Sequence, residues 1–225
     1  MQTIVINSQK GGSGKTALCR ILSVEAMRSH PDIEIVPVYL IDTDPQGTLT
    51  QWHEARESEE PRRVICPTDR LGNGLKELDK SGAKFVFIDT PPQASEHLDA
   101  VFMLADLVIV PIKPTPDDLK AAAVTVNRLK ALNIPFLFVV TQAIQNTNIT
   151  AQAVAALSHH GAVAEVLIVN RVSYPAAFTD GRTPQEIEPK GQAAKETAKL
   201  WAFIHTYLNN DLLTQNKQER SCTNG

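Results

Sequence analysis

Gln9-Lys10-Gly11-Gly12-Ser13-Gly14-Lys15-Thr16 is the stretch whose reading decides the fold. The apolar run Ile4-Val5-Ile6 precedes it, and Ala17-Leu18-Cys19, Ile21-Leu22, Val24 and Ala26-Met27 follow at helical spacing. Strand, glycine-rich turn, helix is the context that a phosphate-binding loop requires. The glycines lack the Cβ that would block positive-φ conformations, so backbone N–H groups can close around an anion. The following helix adds its N-terminal partial charge and unpaired N–H groups. In such a loop Lys15 reaches the β- and γ-phosphates and the Thr16 hydroxyl ligates Mg²⁺.

Around this stretch the chain alternates. Strand signals fall at Thr3–Asn7, Val36–Ile41, Phe85–Ile88, Leu107–Val110, Phe136–Val140 and Val163–Val169. Helical patterns fall between and after them, at Lys15–Arg28, Leu49–Arg56, Leu71–Lys80, Ser95–Leu104, Asp117–Leu132, Thr150–Leu157 and Gln192–Leu208. Several strands are continuous apolar runs, as expected for strands buried on both faces. The pattern predicts an α/β fold: a P-loop NTPase with a twisted, mostly parallel sheet flanked by helices on both faces. The reading is one domain over residues 1–208 and a polar, disordered tail over 209–225. The cluster Arg56–Arg63 reads as a solvated loop.

Composition narrows the function classes. The 225 residues are 43% hydrophobic and carry a formal net charge of −3. That balance gives no whole-surface attraction to DNA or anionic lipid, so such binding must be local. Cys19, Cys66 and Cys222 are scattered without a C-x-x-C pair, which argues against a disulfide framework, a zinc site or iron–sulfur ligands and fits a reducing cytoplasm. No signal peptide is read at the N-terminus, and no apolar run is long enough to span a bilayer.

Three further segments carry chemistry. Ile41-Asp42-Thr43-Asp44-Pro45-Gln46-Gly47 places carboxylates at a strand's carboxyl end, where the plain alternative is an Asp-Pro turn capped by Asp44. Phe85-Val86-Phe87-Ile88-Asp89-Thr90-Pro91-Pro92 is an apolar strand ending in a carboxylate, the Walker B form, in which Asp89 holds Mg²⁺. Val110-Pro111-Ile112-Lys113-Pro114-Thr115-Pro116-Asp117-Asp118 is a proline-stiffened loop entering a helix, either a rigid turn or a nucleotide contact.

With a lysine at position 10 and Gln9 where the ordinary pattern has glycine, the loop resembles the deviant Walker A box, KGGxGK[ST], of the ParA/MinD family of P-loop ATPases. The D-x-D-P-Q-G and V-P-x-x-P segments match that family too, and the resemblance spans about residues 2 to 208. It implies ATP and Mg²⁺ as cofactors, with Gly11, Gly12, Ser13, Gly14, Lys15, Thr16 and Ala17 around the nucleotide and Thr16 and Asp89 at the metal. Asp42 is assigned to position the attacking water, and Asp44 to hold the switch I loop or the surroundings of Mg²⁺. Gln142 stands where relatives contact adenine.

The resemblance also implies an ATP-dependent homodimer, in which Lys10 of one subunit reaches the phosphates held by the other. With no helix-turn-helix ahead of the first strand, the chain resembles short plasmid-partition ParA proteins. These implied partners are a small centromere-binding protein that stimulates a slow ATP hydrolysis and DNA bound without sequence preference, in the cytoplasm at the nucleoid. Arg171, in Asn170-Arg171…Gly181, is either a DNA or interface contact or an ordinary surface arginine, and Lys199 is the second DNA candidate. From Thr150 to Leu208 the counts balance at five Lys/Arg and five Asp/Glu, so a basic face needs arrangement or two subunits together. The alternatives are a MinD-like membrane-cycling ATPase and a VirC1-like DNA-transfer ATPase. The polar face of Gln192–Leu208 is only weakly basic, so that helix is expected to pack on the sheet, without stable membrane association.

Overall fold

The computed structural model describes residues 1–29, 36–92 and 97–209. Its sheet contains β1 (Gln2–Ile6), β2 (Val38–Asp42), β3 (Arg62–Arg63), β4 (Phe85–Asp89), β5 (Leu107–Ile112) and β6 (Phe136–Val140). The spatial order is β3-β2-β4-β1-β5-β6, and every pairing is parallel. Helices α1 (Lys15–Arg28), α2 (Thr48–Glu54), α3 (Leu71–Lys80), α4 (Leu98–Met103), α5 (Pro116–Ala131), α6 (Asn148–Ser158), α7 (Ser173–Phe178), α8 (Pro184–Ile187) and α9 (Gln192–Asn209) surround it. This is the expected P-loop α/β architecture.

The continuous apolar runs split by strand periodicity into two cores. Ile4, Ile6, Leu40, Phe85, Phe87 and Ile109 face α1, α2 and α9, while Val5, Ile41, Val86, Ile88, Val108 and Val110 face α3, α4 and α5. A strand exposes its side chains alternately to opposite faces, so a run apolar at every position must be covered twice. Helix α9 spends its apolar face in the first core. Leu200, Trp201 and Ile204 are buried, the Trp201 ring meets Phe85 edge-on at 4.9 Å, and Trp201 Nε1 donates to Ser29 Oγ at 2.8 Å. The helix therefore packs as expected, and none among the described residues is long and apolar enough to cross a membrane.

Three expectations are corrected. Val163–Val169 is not a strand: it touches the β6 side at two isolated bridges, Phe138↔Val163 and Ala143↔Val169, and more residues lie between its contacts than between theirs. The Arg56–Arg63 cluster is a solvated loop only in its middle, where Glu57, Ser58 and Glu59 are exposed. Arg62 and Arg63 form an edge strand paired with Tyr39 and Leu40. The Arg56 side chain is only 2% exposed, donating to Glu186, Gly181 O and Glu60 O and standing over the Trp52 ring. Finally, β5 runs two residues past Val110, with Pro111 in register with Val139. The expected tail lies outside the described residues from 210 onward, as does the start of the helix expected from Ser95.

Candidate nucleotide site

All five long strands end on one edge, and the candidate residues lie there. Gly14 takes φ 97° and Gly12 φ 71°, backbone that a side chain would strain, and α1 begins at Lys15 directly after Gly14. The loop is fastened from β6, where Thr141 Oγ1 donates to Ser13 O at 2.6 Å and Gln142 Nε2 to Gly12 O at 2.8 Å. From β1, Asn7 Nδ2 donates to Thr90 Oγ1 at 2.8 Å, and Thr90 Oγ1 donates to Ile6 O, tying the residue after Asp89 to the loop's root. Asn7 and Thr141 were not singled out from the sequence. Each is a small polar residue at the end of an apolar strand, a weak signal that position in the sheet makes specific.

Parallel pairing sets Ile6 and Asp42 in register with Asp89 on either side of it. The Thr16 hydroxyl donates to Asp89 Oδ2 at 2.6 Å, whereas Asp89 Oδ1 is buried without a hydrogen-bond partner. Burial, with Asp42 and Asp44 adding, raises the Asp89 carboxyl to about 7, against the lowering influence of Thr16 and Lys15. The Lys15 ammonium is buried too, and that desolvation lowers its pKa against the pull of Asp89 and Asp44. A buried carboxylate with an idle oxygen beside a threonine hydroxyl suits a hard cation, and a desolvated lysine beside a ring of N–H groups suits an anion. The residues present thus fit a nucleotide phosphate with Mg²⁺.

Asp42, at the end of β2, is engaged by its own neighbours. Its Oδ2 accepts from Thr50 N at 2.9 Å and Thr50 Oγ1 at 3.0 Å, and its Oδ1 from Asp44 N at 3.1 Å, so it caps α2. Asp44, the cap expected from a plain turn, accepts from Gln46 N instead. A cavity of about 280 Å³, mostly apolar, opens beside Gly14 and Ala17, and Gln142, Asn170, Arg171, Tyr174 and Phe178 line it. Gln142 therefore touches both the loop and this cavity. Arg171 also lines this cavity, and its guanidinium is held by Glu196, while Lys199 is exposed on α9. Lys10 is exposed at the head of the loop.

Fold and site together define a P-loop nucleotide-binding domain with a second lysine in its loop. Residues 4–184 match the model of the CobQ/CobB/MinD/ParA nucleotide binding domain, and the chain belongs to that family. A ParA protein of Rhizobium radiobacter is 26% identical over 219 residues, covering 90% of this chain and 95% of the relative. The maintenance of carboxysome distribution protein A of Gloeobacter kilaueensis is 32% identical over 129 residues, about 56% of each chain. In the MinC:MinD cell division protein complex of Aquifex aeolicus, a chain superposes with a TM-score of 0.74 at 15% identity, covering 92% of this chain and 96% of that one.

Proposed function

We propose that this chain is a ParA-type ATPase that dimerises around ATP, binds DNA without sequence preference and segregates DNA with a small centromere-binding partner that stimulates hydrolysis. The observation that carries this reading is the divergent fate of two lysines on one loop: Lys15 is buried beside Asp89, while Lys10 is exposed at the loop's head. One serves the subunit's own phosphates and the other is free to serve a second subunit's. The similarity to the Rhizobium ParA protein over nearly the whole length of both chains supports partition as the process.

Bound Mg²⁺ would supply positive charge against the phosphates of the nucleotide. The chain's own residues do the rest. Gly11 to Ala17 hold the phosphates through backbone N–H groups, Lys15 neutralises charge, Thr16 and Asp89 hold the metal, and the cavity beside Gln142 takes the base. Asp42 holds the α2 entrance and, when the loop closes, orients the attacking water. Lys10 from the second subunit stabilises charge developing at the bond that breaks, as an arginine finger does in trans. Turnover is slow until the partner completes this arrangement.

The membrane-cycling alternative is disfavoured by α9, whose apolar face is spent in the core. Light scattering with ATP tests the dimer: the unmodified protein dimerises, Lys10→Ala binds nucleotide as a monomer, and Lys15→Ala does neither. A normal dimer from Lys15→Ala would sink the reading. Protein trapped with ATP is then titrated against duplex DNA and anionic liposomes. Binding to liposomes alone transfers the chain to the membrane-cycling class.

A further inference from the structure

We propose that Lys113 is a third phosphate-contacting lysine, acting on the nucleotide held by its own subunit; this rests on the nucleotide reading of the loop. Lys113 directly follows β5, the strand that neighbours β1 with Ile6 in register with Ile109. Its Nζ lies 3.5 Å from the point where a Cβ on Gly12 would stand. Its backbone is fixed on both sides, Thr141 N donating to Ile112 O at 2.9 Å and Thr115 N to Lys113 O at 2.8 Å. Pro114 is buried next to it. Gly12 is thus approached from two strand ends, by Gln142 on its carbonyl and by Lys113 on its Cα side.

The placement calls for an anion. Lysine is strongly hydrated, and its long stem favours the freedom of solvent. Here the side chain is half-buried, and among the described residues none pairs with its ammonium. It instead stands against a loop whose neighbours are already positive in character: the α1 N-terminus and Lys15. A second ammonium at that place repels both unless a polyanion lies between them. A nucleotide's phosphates supply that charge, and a triphosphate supplies more of it than a diphosphate. The exposed Lys10 is left to the partner subunit, while Lys113 serves the same site from within.

The test is a titration of Mg·ATP and Mg·ADP into the unmodified protein, Lys113→Ala, Lys113→Arg and Lys15→Ala at several salt concentrations, with mass followed by light scattering. Lys113→Ala should weaken ATP binding by about ten- to a hundredfold, the range of a charged hydrogen bond. ADP should lose less, Lys113→Arg should recover most of the affinity, and Lys113→Ala should bind ATP with a flatter salt dependence. A purely structural role would leave the salt dependence unmoved. Unchanged ATP affinity in Lys113→Ala, alongside its loss in Lys15→Ala, overturns the Lys113 assignment alone. A defect seen only at concentrations where the dimer forms overturns its action within one subunit. An unmodified protein that binds no ATP overturns the nucleotide reading, and this proposal with it.

Discussion

Asp89→Asn should stabilise the ligand-free protein at pH 8 while crippling its response to Mg·ATP. An unfolded aspartate titrates near 3.9, and buried Asp89 titrates at about 7. Between those values the folded chain holds the proton more tightly, so stability falls as pH rises through the window and the full cost stands above it. The difference, at about 1.36 kcal/mol per pH unit, sets a ceiling of about 4 kcal/mol. Relaxation and water entry reduce it, leaving about 1–3 kcal/mol. Asparagine removes the charge while its oxygen can keep the Thr16 hydrogen bond. Urea denaturation at pH 5 and pH 8 reads the result: an advantage for the variant at pH 5 of about a third of the one at pH 8. Adding Mg·ATP at about a hundred times its Kd should then stabilise the unmodified protein by about 2.7 kcal/mol, and the variant by much less. A variant less stable than the parent at pH 8, or an equal gap at both pH values, refutes the idea that an unpaired carboxylate is held ready for a cation.

Three further outcomes follow from the same geometry. Asp42→Ala should lose about 0.5–2 kcal/mol through the uncapped α2, measured in urea; its ATP-bound dimer should persist while phosphate release slows by about 10²–10³. Hydrolysis at the parental rate would move the water-positioning role to Asp44. Trp201→Ala should destabilise by about 3–5 kcal/mol, seen as a lower urea midpoint, because it removes the packing on Phe85 and the bond to Ser29. Lys199→Ala should lower the log–log salt slope of DNA binding by about one, and Arg171→Ala should change it less because Glu196 already holds that guanidinium.

The segments legible in the sequence are those where chemistry demands fixed residue types at fixed spacing. Lys10 to Thr16, Asp42 and Asp89 were found because each follows an apolar run, and a parallel sheet delivers every run's end to the same edge. The segments that were missed draw their structure from distant partners. Helix α8 has only four residues, too few for a periodicity, and exists because Thr183 and Glu186 cap it and Gln185 donates to Ile21 O across the chain. Strand β3 has two residues and is arginine at both, a composition that reads as solvent. Its neighbour Arg56 looked equally solvated, yet its guanidinium fastens the segment around Gly181, where a Cβ would stand only 2.5 Å from Arg56 N. Charge pattern reports what a side chain can do, while its burial is settled by the partner the fold brings to it. The same reasoning separates Arg171 from Lys113. The fold brings Glu196 to the first and no carboxylate among the described residues to the second. A cation that folding leaves unpaired against a phosphate loop is the one whose partner must arrive with the ligand.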